Sequence, residues 1–361
     1  MIDAPLTLRS GLVVKNRAAV AAMTNGQSLA DGRVGDDEIA WLARRADGGF
    51  GMIATCAAYV SKDGKAWDGQ LGVDRDDDLE NLARFATRLS RAGTAGIVQL
   101  FHGGVRATQR LTGEQVWSAT VFHEDGPTFE TPRAATEADI ERVIGDFVAA
   151  AVRCKAAGFA GVELHGAHGY LLTQFLSSTQ NTRTDAWGGL DLGNRARLVR
   201  EVLRQVRARV GASFTVGVRL SFESGGNTKG IDFDDALQVS RWLADDGADF
   251  IHASLFYAER TTQKYPDKHA IPLIRAALPK QVALIACGNI WSAADAAAAL
   301  DRGADMVALA RCAVFNPDWP TLVTTPGWQP RRPPATADEL MELAVSPAFV
   351  QYLRHFKNLV A

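Results

Sequence analysis

Ala156-Ala157-Gly158-Phe159-Ala160-Gly161-Val162-Glu163-Leu164-His165 ends one element and begins another almost at once. Glycine suits the position just past a helix, because it enters the left-handed conformation without a Cβ clash. The apolar run behind it is short and nearly continuous, which suits a parallel strand covered on both faces. The same punctuation recurs at Ala46-Asp47-Gly48 before Gly51-Met52-Ile53, and at Arg91-Ala92-Gly93 before Gly96-Ile97-Val98. It returns at Val210-Gly211, Asp246-Gly247 and Arg302-Gly303, each followed within a few residues by an apolar stretch. Strands are expected at about 18–23, 50–56, 95–100, 160–165, 213–220, 249–254, 282–287 and 305–310. Amphipathic helices are expected at about 78–92, 137–157, 194–210, 233–246 and 292–302, with capping signals at Thr136-x-x-Asp139 and Ser292-x-x-Asp295. Eight such units predict an α/β fold, a single (β/α)8 TIM barrel, rather than an open doubly wound sheet. No Gly-x-Gly-x-x-Gly follows the first strand to favour the sheet. Residues 1–361 are expected to form one domain, with a C-terminal arm from about 325 and a short helix near 336–344.

Composition narrows the function. The chain has 361 residues, 47% hydrophobic and 22% charged, and a formal charge of −2, the balance of an ordinary globular enzyme. That charge builds no field for nucleic acid, and no apolar run is long enough for a membrane span. Residues 1–15 lack the basic start and apolar core of a signal peptide. Cysteines at 56, 154, 287 and 312 form no Cys-x-x-Cys, so a zinc ribbon or iron–sulfur cluster has no ligand set. A reducing, cytoplasmic setting is expected, with a homo-oligomer left open.

In such barrels the chemistry gathers where strands end. Those positions here are Met23-Thr24, Ala57, Gln99, His102, His165, His168, Tyr170, Arg219, Cys287-Gly288-Asn289 and Ala310-Arg311. No lysine falls inside a strand candidate, which removes support from a Schiff-base aldolase. Histidines and carboxylates do not converge from several strands, so no metal site is expected. Long connections at 56–77, 102–135, 166–193 and 255–268 would lie over the mouth. Residues 103–133 are expected to hold a small hairpin, with Gly113, Gly126, Pro127 and Pro132 as turn residues.

His165-x-x-His168-x-Tyr170 is the specific signal. It continues through Gln174-Phe175-Leu176-Ser177, Asn181-Thr182-Arg183-Thr184-Asp185-x-x-Gly188-Gly189 and Asn194-Arg195, and is preceded by Lys15-Asn16-Arg17 and Met23. This ordered set, spread over about residues 5 to 320, resembles the Old Yellow Enzyme family of FMN-dependent ene-reductases. The resemblance implies FMN across the barrel mouth and NAD(P)H as reductant. It implies that Thr24, beside Met23 and Ala57, tunes the flavin, and that Gln99 and Arg219 face its pyrimidine edge. Gly288, Asn289, Ala310 and Arg311 would hold the phosphate. His165 and His168 would grip the oxygen of a small-molecule enone or nitroalkene, and Tyr170 would donate the proton. Phe101, Tyr59, Trp67 and Tyr257 are expected around the substrate. Arg183, Asp185, Asn194, Arg195 and Arg197 read instead as a structural network, and Arg219 as a charge in need of a partner. The sequence departs from the family at Ala22, where a proline is common, and at Ala310, where glycine is usual. Residues 223–230 match no family motif. Alternatives are a flavin enzyme running in the oxidative direction, a flavin-free barrel lyase or isomerase, and a non-catalytic binding barrel.

Overall fold

The computed structural model describes residues 1–126 and 129–361, so Pro127, expected as a turn residue, lies outside the described residues. Its barrel strands are β1 Ala18–Val20, β2 Met52–Tyr59, β3 Ala95–Phe101 and β4 Gly161–Gly166. The second half is β5 Thr215–Ser221, β6 Phe250–Ser254, β7 Ala283–Cys287 and β8 Met306–Leu309. All eight hydrogen-bond in parallel and in chain order, and β8 closes on β1 through Val307↔Ala18 and Leu309↔Val20. The helices between them are α1 Asp36–Asp47, α2 Leu79–Arg91, α3 Glu137–Ala156, α4 Leu192–Val210, α5 Phe233–Asp245, α6 Ala270–Ala277 and α7 Ala293–Asp301.

Local chemistry explains the punctuation. Thr136 and Asp139 form a reciprocal capping box on α3, and Ser292 and Asp295 form another on α7. The glycines after the helices adopt left-handed φ, with one shift of position: Gly48 is helical at φ −71° and Gly49 takes the turn at φ 102°. Lys15-Asn16-Arg17 fastens the lower rim of the barrel. Asn16 Oδ1 accepts from the amides of Ala18 and Gly51, and Arg17 donates to the Asp305 carbonyl.

The lower interior is filled by Ala19, Met52, Ile97, Phe250, Ile285 and Met306. An N-terminal hairpin, Leu6–Thr7 with Val13–Val14, caps it by adding Leu8 and Val14 to that cluster. Gly217 makes room for Phe250, since a Cβ there would meet the ring at 2.1 Å. A register shift between Ala54 and Ala57 bulges β2 and re-aims its upper end toward the mouth.

The hairpin expected in 103–133 is not what forms. Trp117–Ser118 and Arg133–Ala134 pair in parallel, because the long excursion between them returns the chain in the same direction. The arm beyond residue 325 carries helices Ala337–Glu342 and Pro347–Leu353 and folds back over α1. Phe349 meets Trp41 edge-on at 5.1 Å, and fully buried Arg45 donates to the carbonyls of Trp41, Ala313, Val314 and Leu343. Arg45→Met leaves those carbonyls without their donor. It should cost about 3 kcal/mol in denaturant unfolding, and a loss under about 0.5 kcal/mol would show that the anchor is redundant.

Candidate active site

The strand ends open onto a two-lobed cavity. The smaller lobe, about 240 Å³, is lined by Met23, Thr24, Ala57, Trp67, Gln99 and His165. The larger, about 580 Å³, is lined by Arg219, Tyr257, Gly288 and Asn289. His168, Tyr170, Ala310 and Arg311 line both. The residues singled out in the sequence thus meet at one mouth, with three exceptions, the first of them His102, which is buried beside Asp63 and lines neither lobe. Tyr59 and Phe101 are fully buried behind the wall, roofed by Trp67 and Tyr170, and do not line the cavity. The Tyr59 phenol donates instead to the Asp31 carbonyl at 3.0 Å, and Phe101 supports Tyr170 at a ring distance of 4.4 Å.

The loop after β4 is held tightly. Gln174 Nε2 donates to the carbonyls of Gly169 and Gly103, while its Oε1 accepts from Val105 N and Ser118 Oγ. Arg183 reaches the Ala119 and Ala135 carbonyls, and Arg195 those of Leu176, Gly189 and Leu190. Arg197 stays at the surface, reaching only as far as Asn194 Oδ1 and the Trp187 ring. His168 sits at φ 64°, a left-handed conformation costly for a side chain with a Cβ, and its amide donates to Ser221 Oγ. Backbone strain of this kind concentrates where a side chain must be aimed.

Three side chains here, His165 at the end of β4 and His168 and Tyr170 on the loop, are held toward their neutral forms. Burial, then the field of His168, holds the His165 imidazole well below its ordinary range. His165 Nδ1 accepts from the Ala167 amide at 3.3 Å, so the neutral ring carries its proton on Nε2. Burial, then Arg219, lowers His168 to about 3, and its Nε2 lies 2.7 Å from Ser254 Oγ. Burial raises the Tyr170 phenol to about 12.

Beneath them lies a charged group that the sequence reading missed. Glu163 accepts from Gln99 Nε2 at 2.6 Å and from His252 Nδ1 at 2.7 Å. Burial opposes both charges, yet each partner stabilises the other: the carboxyl stays below its ordinary value and the imidazole above. Arg219 donates to the Ala22 carbonyl and to Ser254 Oγ, and no carboxylate pairs with it among the described residues. The sequence signal was parity: Glu163 and His165 share a face of β4, as do His252 and Ser254 on β6. Two further walls were also unanticipated. Glu223, Asn227 and Thr228 of the unexplained 223–230 segment line the larger lobe, and Phe349 and Tyr352 of the C-terminal arm roof the smaller.

The NADH:flavin oxidoreductase / NADH oxidase family model matches residues 2–325. A relative of comparable length, the probable NADH-dependent flavin oxidoreductase YqiG of Bacillus subtilis, is 34% identical over 87% of this chain and 85% of its own. NADH:fumarate oxidoreductase of Klebsiella pneumoniae is 33% identical over 87% of this chain, which spans only 35% of that longer protein. The solved structure of an old yellow enzyme homologue from Zymomonas mobilis superposes with a TM-score of 0.83 at 25% identity, covering 94% of this chain and 96% of the other. The chain belongs to the Old Yellow Enzyme family.

It is therefore an oxidoreductase that uses FMN with NADH or NADPH, and the flavin-free lyase and binding-barrel readings fall away. The residues present fit FMN. Arg219 Nε is buried without a partner, as a donor aimed at an electron-rich ring edge requires. Gly288, at φ 145°, packs against the Leu255 carbonyl, which a Cβ would meet at 2.7 Å, and lines the larger lobe beside Asn289 and Arg311. Arg311, exposed at the cavity edge, has no ion-pair partner among the described residues. The methyl of Ala310, a departure from the family, lies in both lobes. No helix among the described residues is long and apolar enough to cross a membrane.

The neutral histidines make stability depend on pH. The folded His168 value, about 3, lies below the ordinary 6.5, so the unfolded chain binds the proton first as pH falls. Its contribution is present above pH 6.5 and is lost progressively as pH drops toward 3. His168→Asn should flatten the acid limb of denaturant stability by up to one proton. An unchanged slope would mean that His168 titrates normally.

Proposed function

We propose that the protein is an ene-reductase acting on an alkene conjugated to a carbonyl or nitro group. Hydride from NADH or NADPH is delivered to the β-carbon, and a proton from Tyr170 to the α-carbon. The observation that carries the reading is the set of three neutral groups, His165, His168 and Tyr170, on one wall of the cavity. Bound in this cavity, FMN supplies the hydride chemistry.

The chain's residues do the rest. His165 presents Nε2–H, and with His168 grips the substrate oxygen. These contacts strengthen as negative charge moves onto that oxygen during hydride addition, so they favour the transition state over the ground state. Neutral donors suit this work, because a fixed imidazolium would bind ordinary anions in place of substrate. Tyr170 keeps its proton at neutral pH and releases it only to a carbanion-like centre. Thr24, Gln99 and Arg219 orient the flavin, and Gly288, Asn289, Ala310 and Arg311 hold its phosphate. Trp67 and the C-terminal roof keep water from the reacting carbons. The Klebsiella relative, of which this chain spans 35%, is named for fumarate, a conjugated alkene that accepts a hydride, and that name is consistent with this direction.

Tyr170→Phe should slow alkene reduction about 10²–10⁴-fold while leaving flavin reduction by NAD(P)H close to wild type. Unchanged anaerobic reoxidation by an enone would remove Tyr170 from the mechanism. Replacing His165 and His168 together by Asn should weaken phenol and enone binding at full FMN content. If ligand affinity holds, the histidines do not form the oxygen grip. A product assay that found saturated compound oxidised, with no alkene reduced, would reverse the proposed direction.

A further inference from the structure

Arg219 is 5% exposed at the floor of the larger lobe, and a guanidinium so shielded is stabilised by a counter-charge. Its Nη1 donates to the Ala22 carbonyl at 3.2 Å, and its Nη2 reaches Ser254 Oγ at 3.3 Å and Cys287 Sγ at 3.5 Å. Glu163, whose field reaches Arg219, is already hydrogen-bonded to His252 and Gln99. The charge count therefore does not close. One carboxylate faces two cations, and Glu163 is matched by His252 alone. Of the groups touching Arg219, a carbonyl and an alcohol cannot become anions near neutral pH, whereas a thiol can.

We propose that Cys287 is an ionised thiolate, the counter-ion of Arg219, and that this pair sets the charge at the pyrimidine edge of the FMN site. Cys287 ends β7, lines the larger lobe, and sits among Arg219 from β5, His252 and Ser254 from β6, and Glu163 from β4 behind His252; its Sγ also lies 3.5 Å from the Ala253 carbonyl, a weak S–H contact that ionisation gives up for the Arg219 donor. His252 Nε2 is buried without a hydrogen-bond partner, a second donor in the same cluster. Burial opposes ionisation of Cys287, but Arg219 and then His252 bring it down to about 6. Cys312 lines the same lobe, and burial pushes its thiol up even though Arg332 and the Asn316 amide pull the other way. Position in the cavity is therefore not what ionises Cys287; its contact with Arg219 is.

The charge pairing has a redox consequence. With FMN bound, the negative charge gained on its reduction would compete with the thiolate for Arg219. Cys287 then takes a proton from solvent, so reduction consumes two protons per two electrons instead of one.

Two measurements separate the pair from its link to FMN, which rests on the reading that Arg219 faces the flavin. In the FMN-stripped full chain, the ultraviolet thiolate band of wild type minus Cys287→Ser should persist at neutral pH and fall to half its height near pH 6. Alkylation of wild type by iodoacetamide, read peptide by peptide, should label Cys287 at least about tenfold faster than Cys312 at pH 7. A band seen only near the ordinary 9.0, or equal labelling of the two cysteines, overturns the thiolate. In the holoenzyme, Cys287→Ser should raise the ratio of reduced to oxidised FMN about tenfold at a fixed ambient potential. It should also halve the pH slope of the potential above the thiol's pKa. A thiolate found with both flavin readouts unchanged overturns the link to FMN and leaves the Arg219 pair standing.

Discussion

The hydrogen bond between Glu163 and His252, 2.7 Å long and spanning 89 residues of sequence, is the contact around which the site is arranged. A carboxylate in a dry interior is tolerable only if its lone pairs are satisfied, and Gln99 from β3 completes what His252 from β6 begins. That requirement relates the heights of β3, β4 and β6 to one another. Parallel ladders then carry the alignment outward, with His165 opposite Arg219 and Ser254 opposite Cys287. Slipping one strand by a residue would turn its polar groups out of the barrel and leave charges unpaired. The buried ions thus act less as a source of stability than as a register for the strand ends that carry the chemistry.

Much of the fold was legible because parallel barrels repeat one demand. Each helix has to stop, reverse and feed a strand covered on both faces, and glycines such as Gly93, Gly158 and Gly247 take the positive φ that makes this possible. The eight expected strands occur in the expected order. What failed was local and has local causes. The turn at Gly48-Gly49 allowed either glycine to take the left-handed position, and the chain uses the second. The excursion at 117–134 returns in parallel, a geometry that turn residues alone do not encode.

The site divided along the same line. His165, His168 and Tyr170 were legible because they lie on one short segment whose spacing can be read directly. Arg219 was legible as a charge in need of a partner, but the carbonyl of Ala22 that it binds is 197 residues away. Tyr59 and Phe101 were expected around the substrate through the family resemblance, and they share strand parity with Ala57 and Gln99. Parity aims them inward, as observed, but Trp67 and Tyr170 close over them from the loops above. Strand periodicity decides which face a residue takes, and loop conformation decides whether that face meets the cavity.

The floor of the site and its wall carry different electrostatic characters, and Ser254 links them. Below, Arg219, Cys287, Glu163 and His252 keep charge fixed in place. Above, His165, His168 and Tyr170 are held neutral by burial. Arg219 can only donate, so Ser254 Oγ accepts from it and has its own proton free for His168 Nε2 at 2.7 Å. That relay leaves the His168 proton on Nδ1, which fixes the tautomer without any carboxylate beside the ring. A carboxylate there would have raised the imidazole pKa and produced a permanent cation next to the substrate. Using a serine to transmit orientation but not charge lets a chain with fixed charges on the floor of its site keep uncharged hydrogen-bond donors at the wall where charge has to develop during reaction.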